Sequence, residues 1–99
     1  MDPSNTRRYP RYQVHAPVFI AVPGAIDGVV PGLVSRLSRT GMELYAGVNL
    51  QPGQVMEVEF RTPDKVIRVV GVVCNRTGFC FGLAYCGLRI ELGHMQSQI

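Results

Sequence analysis

The sequence predicts an all-β protein: a six-stranded antiparallel barrel, preceded by a flexible arginine-bearing arm and followed by at most a short helical turn. Three observations carry this expectation. Six β-rich runs succeed one another at spacings of about 8–15 residues, each closed by a turn signal. No segment holds a 3.6-residue apolar period for three turns, so no long helix is expected. A chain of 99 residues, 46% hydrophobic and 17% charged, has the size and composition of one folded core. Closing the strands into a barrel removes the exposed edges that an open sheet would leave.

Residues 1–13 contain two prolines, three arginines and almost no aliphatic side chains. They read as an arm, with the barrel over residues 14–92 and a tail over 93–99. Residues 14–22 (VHAPVFIAV) form the first β-rich run, ended by Pro23-Gly24. Asp27-Gly28 is a hairpin signal before the second run, 29–37, in which Pro31 lacks a ladder donor and belongs at an edge or a bulge. Gly41 separates this run from the third, 42–45. After Gln51-Pro52-Gly53, residues 54–61 (QVMEVEFR) alternate with period 2, as a half-buried strand does. A turn at 62–65 leads to the apolar run 66–74, with Arg68 outward. Residues 75–78 (NRTG) read as the next turn and 79–85 as the sixth strand. Residues 88–99 have room for one helical turn before Gly93.

Several function classes are disfavoured at once. No run approaches the ~20 apolar residues of a membrane helix, and the N-terminus MDPSNTRRYPR has no apolar signal core. Three cysteines cannot close a disulfide set, so a cytoplasmic setting is expected. Cys74, Cys80 and Cys86 match no usual zinc spacing and read as buried free thiols. His15 and His94 lie near opposite ends with no triad-like neighbours, and Glu57 and Glu59 repeat as a solvated strand face does. Neither a metal site nor an enzyme is expected.

Charge distribution is more informative. The net charge of +3 lies entirely within residues 1–41, where Arg7, Arg8, Arg11, Arg36 and Arg39 face only Asp2 and Asp27. Guanidinium groups favour bidentate contacts to phosphate and guanine. Tyr9 and Tyr12 interleave aromatic rings with the arm's arginines, a combination suited to an anionic, aromatic ligand. A second constellation, Ser38-Arg39-Thr40-Gly41, presents a hydroxyl, a cation and a glycine able to take positive φ at one turn.

Together these residues resemble the PilZ domain family of bacterial receptors for cyclic di-guanosine monophosphate (c-di-GMP). The family signature is Arg-x-x-x-Arg followed by Asp/Asn-x-Ser-x-x-Gly. Arg7 to Arg11 fit the first part, and Ser38 to Gly41 fit the Ser-x-x-Gly of the second. The resemblance continues through residues 53–60, 70–73 and 82–85. It implies a six-stranded barrel, no enzymatic activity, no cofactor, and c-di-GMP as ligand. By analogy Arg7, Arg8, Arg11, Arg36, Ser38, Arg39 and Gly41 form the ligand site, and the arm closes over the barrel to signal to an unidentified downstream protein. Neither nucleic acid nor membrane is an expected partner.

There are two departures from the family pattern. Arg36 stands where the family has Asp or Asn, and a guanidinium has no acceptor for the guanine N1 and N2 donors. The chain also leaves little sequence for the C-terminal helix common in the family. The alternative reading is therefore a degenerate PilZ-like interaction domain that does not bind c-di-GMP, of the pilus or flagellar regulation type.

Overall fold

The computed structural model describes residues 10–24 and 28–91, and over these the six expected strands close into an antiparallel barrel. They are β1 (Tyr12–Ala21), β2 (Val29–Leu37), β3 (Gly41–Ala46), β4 (Val55–Arg61), β5 (Val66–Thr77) and β6 (Cys80–Glu91). Their order around the barrel is β1-β2-β3-β6-β5-β4, with β1 closing onto β4. No helix occurs among the described residues. Arg7, Arg8 and the tail 93–99 lie outside them.

Period-2 patterning accounts for the core. Met42, Leu44 and Ala46 of β3 are buried, while Glu43 and Tyr45 between them face outward. Met56 and Val58 of β4 and Phe81 and Leu83 of β6 fill the same interior. Pro31 stands one residue beyond Gly32, the last β2 residue paired with β3, so its missing N–H interrupts no β2–β3 bond.

Four features differ from the sequence reading. The β5–β6 turn is not at 75–78: β5 continues to Thr77 opposite Cys80, and Gly78-Phe79 makes the turn, with Gly78 at φ 61°. Asn and Gly favour turns locally, but pairing with β6 extends the ladder, and the Arg76 guanidinium ties it to Asn49 Oδ1 at 2.6 Å and the Leu50 carbonyl at 3.0 Å. Residues 88–91 are strand rather than a helical turn, each paired with β5, because β5 offers them a ladder and Arg68 an ion pair to Glu91 at 2.6 Å. The cysteines are free, as expected, but Cys74 and Cys86 are exposed rather than buried. Each is the extra residue where the β5–β6 register slips, and a bulge residue is left outside the regular inward alternation. Glu59, expected on a solvated face, is only 8% exposed, covered by ion pairs to Arg61 and Arg68.

Candidate functional site

The two arginine-bearing segments are far apart in sequence, and the register of β1 on β2 joins them. Tyr12 pairs with Leu37 and Gln13 with Arg36. The start of β1 therefore lies beside the end of β2, and Arg11, the residue before β1, stands next to the 38–41 turn. Arg11, Arg36, Ser38 and Gly41 line one open cleft of about 350 Å³ on the outer wall of the barrel, together with Glu43 and Asn75. That volume falls within the range of small-ligand sites.

The 38–41 turn is built by its own polar groups. Ser38 Oγ accepts from the N–H of Gly41 at 3.2 Å and of Thr40 at 3.3 Å, and the Ser38 N–H donates to the Gly41 carbonyl at 2.9 Å. From β6, the Tyr85 hydroxyl donates to the Ser38 carbonyl at 2.8 Å and the Tyr85 N–H to the Thr40 carbonyl at 3.0 Å. Burial raises the Tyr85 pKa above its ordinary value. Gly41 does not take the positive φ expected from the sequence. It is glycine because a β-carbon there would run into the Leu83 carbonyl oxygen.

A single cross-strand row runs across the outer face, and all of it except Gln13 lines the cleft. Gln13, Arg36, Glu43, Gly82 and Asn75 are successive partners on β1, β2, β3, β6 and β5. Two bulges make this row possible. Val34 pairs with Leu44 and Arg36 with Glu43, leaving Ser35 as an extra residue. Val73 pairs with Leu83 and Asn75 with Gly82, leaving Cys74 extra. In each strand a residue after a core valine is re-aimed to the outer face. No local pattern in the sequence announces a bulge, which is why Asn75 and Glu43 are absent from the sequence-based site.

The electrostatics of the row are balanced. Arg36 Nε faces Glu43 Oε1 at 3.7 Å, and Ser35 Oγ donates to the same carboxylate oxygen at 2.9 Å. Arg36 is thus held against an acid at the wall of the cleft. Arg39 points elsewhere: it lines a separate cavity of about 620 Å³ with Val69, Tyr85 and Leu88. Among the described residues no cluster of three or more His, Cys, Asp or Glu could hold a metal ion, and no helix is long and apolar enough to cross a membrane.

A closed barrel with arginines and hydrogen-bonding groups along an outer cleft has the architecture of a small-molecule binding module. A family model, the PilZ domain, matches residues 5–98, and the chain belongs to the PilZ domain family, a family of c-di-GMP receptors. No curated protein matches the sequence.

Proposed function

We propose that this chain is a non-enzymatic c-di-GMP receptor module of the cytoplasm, which closes its N-terminal arm over the dinucleotide and passes the signal to a downstream protein. The observation that carries this reading is the convergence of Arg11, Arg36 and the 38–41 turn on one cleft. A ligand with two phosphates and two guanines matches a wall of guanidinium donors, which bind both phosphate oxygens and the guanine O6/N7 edge. Arg7, Arg8 and Arg11 act as the closing clamp, Arg36 as the opposing wall, and Arg39 as a nearby contributor to positive potential. Ser38 and Gly41 shape the turn against which the ligand rests. Ligand shifts the arm by binding the closed state more tightly than the open one.

Calorimetry with c-di-GMP at moderate salt tests the reading. Binding heat is expected, most of it lost in Arg11→Ala and retained in Arg89→Ala, whose side chain is exposed on β6 outside the cleft. Absence of heat at high micromolar ligand overturns it. A second reading, a ligand-free interaction domain, draws support from the Arg36–Glu43 ion pair, which offsets charge in the cleft. It predicts that Arg7→Ala and Arg11→Ala leave partner binding intact.

A further inference from the structure

We propose that Asn75 is a specificity-determining residue of the cleft, its side-chain carbonyl accepting from the guanine 2-amino group that Arg36 cannot serve. The inference rests on the c-di-GMP reading above and deepens it. Guanine presents N1–H and N2–H donors on one edge, and a site selective for guanine needs an acceptor facing them. A guanidinium has none, whereas an amide offers one carbonyl oxygen and two N–H donors.

Four observations place that acceptor at Asn75. The Cys74 bulge turns Asn75 onto the outer face, in the same row as Arg36 and with only Glu43 and Gly82 between them. Gly82 makes room for it: a β-carbon at 82 would stand 2.7 Å from Asn75 Oδ1 and 3.0 Å from Nδ2, so the amide lies across the space a side chain would fill. Of the row's residues that line the cleft, the other acceptor, Glu43, is already engaged by Ser35 and faces Arg36. Among the described residues, no hydrogen bond engages the Asn75 amide.

The test compares c-di-GMP with cyclic di-inosine monophosphate, which differs in lacking the 2-amino group, by calorimetry on the full chain. The wild type is expected to prefer c-di-GMP by about tenfold, in line with one good base contact. In Asn75→Ala that preference disappears, through loss of c-di-GMP affinity while affinity for the inosine analogue is nearly unchanged. Asn75→Asp keeps the acceptor and keeps the preference. Gly82→Ala displaces the amide and behaves as Asn75→Ala does. The proposal is overturned if Asn75→Ala retains the preference, or if the wild type binds both dinucleotides equally; either result leaves the receptor reading standing. A wild type that binds neither dinucleotide overturns both.

Discussion

Gly41 of β3 passes so close to Leu83 of β6 that the Leu83 carbonyl oxygen occupies the place where any β-carbon would go. The contact is backbone against side-chain position, so no rotamer change relieves it. Gly41 also closes the hydrogen-bonded turn begun by Ser38, and one packing constraint therefore sets both the β3–β6 spacing and the cleft rim.

Gly41→Ala is accordingly expected to lower stability by about 1–3 kcal/mol, the usual range for overpacking. Gly47→Ala is the control, because a β-carbon at 47 meets nothing within 4 Å and φ is not positive there. Urea unfolding of the two variants should show a lower midpoint for the first and a shift within about 0.5 kcal/mol for the second.

Glu43 faces Arg36 across the β2–β3 ladder and places a negative charge in the cleft beside the expected ligand phosphates. Glu43→Gln removes that charge and releases the guanidinium. Binding of c-di-GMP should tighten by about two- to fivefold at low salt, a change equivalent to about 0.4–1 kcal/mol. The gain should shrink as salt rises, since both groups are partly exposed. Calorimetric titrations at two ionic strengths measure it.

Tyr85 links β6 to the turn through its hydroxyl bond to the Ser38 carbonyl. Tyr85→Phe should cost about 0.5–1.5 kcal/mol, the net value of one such bond. Burial raises the Tyr85 pKa in the folded state above its ordinary value of 10.0. The neutral phenol is the form the fold favours, so this contribution is fully present below about pH 10 and is lost as pH rises through the folded-state pKa. Denaturation followed across the alkaline range should show a stability decline in the wild type that is smaller in Tyr85→Phe.

Arg68 faces outward, as its strand position predicts, yet it is no neutral surface residue. Its guanidinium meets Glu57 at 3.8 Å, Glu59 at 3.4 Å and Glu91 at 2.6 Å, and Glu59 is buried beneath it. Arg68→Ala leaves Glu59 with Arg61 alone and should destabilise by about 1–3 kcal/mol, as loss of a partner to a buried acceptor does. Arg89→Ala, whose side chain is 64% exposed and meets Glu91 at 3.9 Å, should change stability by less than about 1 kcal/mol. Chemical denaturation at neutral pH separates the two.

The barrel was legible in the sequence because its cause is local and repeated. Alternation in residues 54–61, apolar runs bounded by Pro-Gly signals and the absence of helical periodicity each report on neighbouring residues, and strand closure follows from burying one face of every strand. The Arg-x-x-x-Arg and Ser-x-x-Gly segments were visible for the same reason. What tertiary structure alone decided is how those segments meet. The register of Tyr12 on Leu37 brings Arg11 to the 38–41 turn, and bulges at Ser35 and Cys74 aim Arg36 and Asn75 onto one row. A bulge is a difference in count between two paired strands, so neither strand's sequence contains it by itself. Asn75 shows the consequence: its own neighbours, Arg76, Thr77 and Gly78, make it read as a turn residue, and only the partner Gly82, across the ladder, makes it part of the cleft.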